Sequence, residues 1–323
     1  METTTTTFFD LVRADLEKVE GRMRQGPGGH HPQLDYAIDH LLSSGGKRLR
    51  PILVLLTCGM LGADCDESVT LAAAVEMLHT ATLVHDDLID GSLIRRGYPT
   101  LNAKMSLGAT VLTGDYIFAR AAHLASVIGS KPLMRIFSRT LMTIVNGEIS
   151  QLFGTQVDDP RQEYFDRIYA KTASLFEVSC EGAALLSGCT DEVVTIMKSF
   201  GYNVGMAFQI VDDVLDFVSD QERVGKPVAN DLRQGLITLP TLCYLETNPE
   251  DGNLLEKLIQ RELNDETIEC LIEDIRTSGA IDQALEEANQ FVSAAKKMLA
   301  GMPSNPEREG LYELADYVVQ RTI

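Results

Sequence analysis

Apolar residues recur at i, i+3, i+4 and i+7 through window after window of this chain, in LDYAIDHLLSS, PILVLLTCGML, LAAAVEMLHTATLVHDD, YIFARAAHLASVI, RIFSRTLMTIVNGEISQL and EVVTIMKSFGYNVGMAFQIVDDVLDF. That period gathers the apolar side chains on one stripe of a helix, whereas a strand would scatter them over both faces. Alternation of period two is almost absent. Breakers rich in Gly and Pro separate the runs at 25–33, 44–51, 95–100, 224–230, 248–253 and 301–306. None is long enough to be a domain linker, and no repeat of fixed period is present. These features predict an all-α, single-domain bundle of about ten or more helices. The domain is expected to span 1–323, with the first eight residues, which include a threonine run at 3–7, disordered.

The charge balance excludes some partners. Asp plus Glu outnumber Lys plus Arg by 47 to 28, a formal net charge of -19. Such a chain has neither the footprint of a nucleic-acid binder nor an attraction to anionic lipid, and any anionic ligand needs local help from cations. With 45% hydrophobic residues the chain can bury a large core. The six cysteines show no C-x-x-C spacing and lie in apolar or helical stretches, as buried thiols of a reducing compartment do. The N-terminal stretch lacks a basic region followed by an apolar one, and the longest apolar run is too short to cross a bilayer. A cytoplasmic protein without a transmembrane segment is expected.

Two apolar helical runs end in the same way. LHTATLVHDDLIDG carries Asp86, Asp87 and Asp90, and FQIVDDVLDF carries Asp212, Asp213 and Asp216. At about 100° per residue, the first and last aspartate of each group lie roughly 40° apart on one helix face, with the middle one on the flank. Three carboxylates so placed can converge on one cation, and two such groups can hold divalent metals between them. Magnesium fits best, because it takes carboxylate oxygen, keeps water and bridges to phosphate oxygen. Neither group has the ligand order of an EF-hand. A single group in an acidic chain would read as a solvated helix end; two with the same apolar approach read as a metal site.

Scarce positive charge stands beside these groups. Lys47, Arg48 and Arg50 occur in GGKRLRP, Arg95 and Arg96 follow the first aspartates, Lys171 lies in YAKTASLF, and Lys226 follows the second aspartates. In a chain of this net charge, cations set next to acidic triads suit a phosphate. Taken singly, each has an ordinary explanation as a helix cap, a neutralising partner or a surface residue. Taken together they point to a phosphorylated ligand.

The ordered set GGKRLRP, HTATLVHDDLIDGSLIRRGYPT, LTGDYIF, GEISQL, YAKTASLF, FQIVDDVLDF and GKPVANDLRQGLITLP resembles the all-trans polyprenyl diphosphate synthases over about residues 40–245. The resemblance implies an isoprenoid synthase fold around a deep central cavity, usually a homodimer. It implies head-to-tail condensation of isopentenyl diphosphate onto an allylic diphosphate, and transient membrane association when product is released. It assigns Asp86, Asp87, Asp90, Asp212, Asp213 and Asp216 to magnesium ions, three per active site in the family, that clamp the allylic diphosphate. Arg95, Lys171 and Lys226 would bind that diphosphate. Lys47, Arg50, His79 and Arg96 would bind isopentenyl diphosphate, and Thr172 and Gln209 would lie near the reacting carbons.

If the growing tail runs along the helix that ends at Asp86, the side chains one turn back form its first floor. These are Ala81 and Thr82, small where synthases of short products in this family carry bulky aromatics; Leu78, Met77 or Ala74 would be a later floor. The resemblance therefore implies a product longer than geranylgeranyl diphosphate. One departure stands out: Leu236 occupies a place where many members carry a lysine. A shorter-chain synthase, a terpene cyclase and a partner-dependent subunit remain as alternatives. The GGKRLRP segment argues against a cyclase, and the two intact triads argue against a non-catalytic subunit.

Overall fold

The computed structural model describes residues 7–26, 31–153, 159–218, 228–249, 253–260 and 262–321. Helix α1 (Phe8–Arg24) begins where the Asp10 carboxylate accepts the Thr7 N–H at 3.0 Å, filling one of the orphan donors of a first turn. Phe8 is already helical and buried, so the unstructured end expected from the sequence does not extend to Thr7 and Phe8. Its ring burial outweighs the entropy of ordering that short segment. Helix α2 (Pro32–Ser43) opens on a proline whose missing N–H costs nothing there. Helix α3 (Leu49–Leu61) follows the Gly45-Gly46 loop and stops at Gly62, whose φ of 79° a side chain would oppose.

Helix α4 (Cys65–Ile89) is capped by Asp64, which accepts the Asp66 and Glu67 N–H groups at 2.8 and 3.2 Å. Every residue from Ser68 to Leu78 is buried. A helix apolar all round needs partners on all sides, and α1, α3 and α6 (Leu107–Val127) pack on it. After α4 a two-residue antiparallel pair, Ile94–Arg95 with Tyr98–Pro99, and a short helix α5 (Leu101–Lys104) lead into α6. The chain continues through α7 (Lys131–Phe153), α8 (Pro160–Ile168), a π turn (Tyr169–Ala173), α9 (Ser174–Leu186) and α10 (Asp191–Val218). Then come α11 (Asn230–Arg233), α12 (Leu239–Thr247), α13 (Leu254–Ile259), α14 (Asp265–Thr277), α15 (Ala280–Leu299) and α16 (Pro306–Gln320). The all-α expectation holds; the only strands among the described residues are that two-residue pair.

The chain forms two compact units, each made of three separate segments. One comprises 1–142, 175–201 and 298–314; the other comprises 143–174, 202–297 and 315–323. The divisions fall inside α7, α9, α10, α15 and α16, so no linker in the sequence marks them. In the first unit, α9 and α10 approach at Gly201. A Cβ there would lie 2.9 Å from the Cα of Glu177 and nearer still to the Phe176 carbonyl oxygen. Backbone cannot yield as a side-chain tip can. Gly201→Ala is expected to lower stability by roughly 1–3 kcal/mol, despite alanine's better helix propensity, and a thermal melt reads the loss.

All six cysteines are free. Cys58, Cys180 and Cys243 are buried as expected, but Cys65 and Cys270 are exposed, Cys65 at the first position of α4 beside Lys18 and Asp15 of α1. Among the described residues no helix is long and apolar enough to cross a membrane.

Candidate active site

In the first unit, two glycines let an arginine approach backbone. Gly45 has φ 73°, and a Cβ on Gly46 would lie 2.7 Å from Nη1 of Arg96, which instead donates to the Gly45 carbonyl at 2.8 Å. Arg96 and Gly97 form the two-residue turn between the short strands, both with positive φ (52° and 80°) as a type I′ hairpin requires. That left-handed arginine costs about 1 kcal/mol, which the surrounding contacts offset. Arg50 is buried, its guanidinium 4.7 Å from the Phe176 ring centroid. Arg48 is a structural anchor: it donates to buried Glu76 at 2.7 Å and to the Leu42 carbonyl at 3.1 Å. Lys47, in the same loop, is exposed.

His79 lies among these cations. Burial, then the charges of Arg50, Arg96, Arg95 and Arg48, holds its imidazole well below the usual histidine range. It is therefore neutral and offers one ring N–H. Four arginines act on one neutral imidazole in a chain of net charge -19, two of them held by acidic partners, Arg48 by Glu76 and Arg95 by Asp87. Sequence reasoning reached His79 through its place in a motif; its protonation state comes from the arginines that folding gathers.

The first aspartate group is unequal. Asp87 is buried and accepts from Arg95 Nε at 2.8 Å; Asp86 is half-buried; Asp90 is exposed at the helix C-cap. The preceding His85 faces α6, where Gly114 has no side chain to obstruct it, and its Nε2 lies 3.3 Å from the Val111 carbonyl and 3.6 Å from Asp115. Farther back, Ala81 and Leu78 are wholly covered and Thr82 nearly so, its hydroxyl donating to the His79 carbonyl at 2.7 Å.

In the second unit, α8 is capped by Asp159 and runs into the π turn, which carries Lys171 and Thr172. The wide i→i+5 turn is an uncommon departure from α geometry that recurs at functional sites. Lys171 pairs with Glu148 at 2.9 Å. Thr172 donates to Gln209 Oε1 at 2.7 Å, Gln209 Nε2 donates to Asp213 Oδ1 at 2.7 Å, and the Tyr164 hydroxyl donates to Asp213 Oδ2 at 2.8 Å. Burial, aided by Asp231 and Asp212 against the hydrogen bonds of Gln209 and Tyr164, pushes the Asp213 carboxyl up to about 8. Tyr164 is itself raised well above its ordinary value by burial and then by Asp213, so its hydroxyl keeps its proton. Asp212 pairs with Arg321 at 2.8 Å, and Asp216 Oδ2 accepts the Asp231 N–H at 3.0 Å. Arg321 is anchored three further ways, over the Phe208 ring at 3.8 Å and on the Phe208 and Val318 carbonyls at 2.6 and 3.0 Å.

Lys226 lies outside the described residues. Tyr164 and Arg321 were not foreseen, because each reaches the site from a segment that carries no motif of its own; Glu148 and Asp231 lie within GEISQL and GKPVANDLRQGLITLP, but their pairing with Lys171 and Asp216 comes only with the fold. Among the described residues no three His, Cys, Asp or Glu side chains are already drawn together as a metal ligand set. The donor chemistry nevertheless fits a hard divalent cation. The second group offers only carboxylate oxygens, and the penalty on ionised Asp213 is one that a cation would relieve. A surface cavity of about 600 Å³, lined by Lys18, Arg22, Asp64 and Cys65 among others, contains none of the candidate residues.

The sequence pattern of the family described as polyprenyl synthetase matches residues 31–275. The chain is 38% identical over 315 residues to heptaprenyl diphosphate synthase component 2 of Bacillus subtilis, covering 97% of this chain and 90% of that protein. It is 36% identical over 291 residues to the octaprenyl diphosphate synthase of Escherichia coli, covering 90% and 89%. Its fold matches a crystal structure of a polyprenyl synthase from Caulobacter crescentus, complexed with calcium and isoprenyl diphosphate, with TM-score 0.89 and 35% identity over 98% of this chain and 97% of that one.

Proposed function

From the premise that this chain belongs to the polyprenyl synthetase family, we propose a division of labour among its residues. The chain is a trans-prenyltransferase of the medium- to long-chain class, with the isoprenoid synthase fold. Its substrates are isopentenyl diphosphate and an allylic diphosphate of farnesyl or geranylgeranyl type. Asp86, Asp87, Asp90, Asp212, Asp213 and Asp216 are read as ligands of magnesium, about three ions per site on the family's pattern, and Arg95, Lys171 and Lys226 as further holders of the allylic diphosphate. Lys47, Arg50, His79 and Arg96 are read as the site of isopentenyl diphosphate. The observation that carries this reading is the gathering of Arg48, Arg50, Arg95 and Arg96 about a neutral His79.

Bound magnesium would supply charge neutralisation on the departing diphosphate. The chain's own cations act in the same sense: they bind the leaving group more tightly as its charge grows, which lowers the barrier to allylic carbon–oxygen cleavage. Neutral His79 donates one N–H to a phosphate oxygen and, uncharged, does not repel the four guanidinium groups beside it. The double bond of isopentenyl diphosphate then attacks the allylic cation, and the released diphosphate takes the proton. An apolar central cavity must keep water from quenching that cation.

The domain is read as a single synthase unit over 1–323 that works as a cytoplasmic homodimer. Exposed apolar side chains support the dimer: Leu107 and Leu112 on α6, and Met142, Val145, Ile149 and Leu152 on α7. Leu236 replaces a lysine common in the family, but the sequence keeps the other motif cations, so activity is expected to be retained. Purified protein given magnesium, labelled isopentenyl diphosphate and farnesyl diphosphate is expected to yield, after dephosphorylation and chromatography, a ladder ending beyond geranylgeraniol. No elongation with any allylic primer by folded protein would defeat the proposal.

A further inference from the structure

Tyr164 is almost wholly buried, on α8, and stands seven residues before Lys171. Its ring is fixed from two sides, by the Phe165 ring at 5.3 Å and the Arg167 guanidinium at 5.6 Å, while Arg167 also donates to the Ile237 carbonyl. Its hydroxyl meets one oxygen of Asp213 and the Gln209 amide meets the other. A carboxylate with one donor on each oxygen cannot turn about its Cβ–Cγ bond without losing both, so its remaining lone pairs point in set directions. The same bonds orient Gln209: its nitrogen faces Asp213 and its oxygen faces Thr172 in the π turn. Two connections thus tie the segment 164–172 to α10, and both pass through the carboxylate or its immediate donor.

We infer that Tyr164 is a positioning residue for the reaction: it aims Asp213 at the divalent cation and, through Gln209 and Thr172, holds the Lys171-bearing π turn in register with that ligand. The inference rests on the reading of Asp213 as a magnesium ligand. Outer partners of metal ligands typically account for about 10- to 100-fold in metal affinity. Phenylalanine keeps the ring and its packing and removes only the donor, so the variant folds.

The test compares wild type, Tyr164→Phe and Tyr244→Phe, the last a buried tyrosine of the same unit outside this chain of hydrogen bonds. Each is melted without metal, then with magnesium titrated at fixed inorganic diphosphate, and allylic KM is measured at low and high magnesium. Tyr164→Phe is expected to need about ten-fold more magnesium for half of the stabilisation, and its raised KM is expected to recover at high magnesium. Tyr244→Phe should change only the metal-free melt. An unchanged magnesium requirement in Tyr164→Phe, beside a wild type that responds, overturns the inference alone. A wild type that magnesium and diphosphate do not stabilise overturns the metal reading on which it rests.

Discussion

Asp213→Asn is expected to lower turnover by roughly 100-fold or more while raising the melting temperature of the metal-free protein at pH 8. The two effects have one cause. In the fold the Asp213 carboxyl is raised to about 8 from an ordinary 3.8, chiefly by burial and then by Asp231. Between those values the native state keeps a proton that the unfolded chain has lost. The stability this group contributes is therefore fully present below about pH 4 and is lost as pH rises through about 8. Asparagine stays neutral at both ends. Its oxygen can accept from Gln209 and its amide can donate to Tyr164, whose hydroxyl turns to receive it, so no buried group is orphaned.

The substitution should thus gain roughly 1–3 kcal/mol at pH 8 and almost nothing at pH 4. That corresponds to about 1–2 °C of melting temperature for each kcal/mol in a chain of 323 residues. Melts at the two pH values, set beside steady-state kinetics at saturating magnesium, check both halves. Retained turnover would remove Asp213 from the metal ligands; an equal shift at both pH values would mean that its charge is not the source of the instability.

Ala81→Phe is expected to shorten the product, with the longest chains disappearing from the chromatogram. Ala81 lies on α4, five residues before Asp86, and its methyl is completely covered. A phenyl ring must displace its neighbours, which costs roughly 1–3 kcal/mol, or project into the space that the growing tail requires. These outcomes separate cleanly. Overpacking alone lowers the melting temperature and leaves the product distribution unchanged; a blocked tail moves the distribution to shorter chains at comparable initial rates. An unchanged product would move the floor deeper, to Leu78 or beyond, which the next turn places about 5.4 Å farther along the helix.

The aspartate groups could be read in advance because i and i+4 share a helix face, with i+1 on its flank, whatever the rest of the chain does. The cations of GGKRLRP and of the arginine pair could be read because they stand out against an acidic background. What each then does could not. Arg48 and Arg50 belong to one short motif, yet one pairs with buried Glu76 while the other lies over the Phe176 ring. Equivalence on paper became two roles, because side-chain burial depends on partners far along the chain.

By itself the sequence determined the all-α class, the helices that carry the two aspartate groups and the kind of ligand that suits them. All of these depend on local period and on charge, which neighbours in the chain decide. Only the tertiary structure decided that His79 is neutral, that Asp213 resists ionisation, and that Tyr164 and Arg321 hold the second aspartate group. Protonation and orientation are set by desolvation and by hydrogen bonds between residues distant in sequence. Those terms exist only once folding has brought the partners together and excluded water.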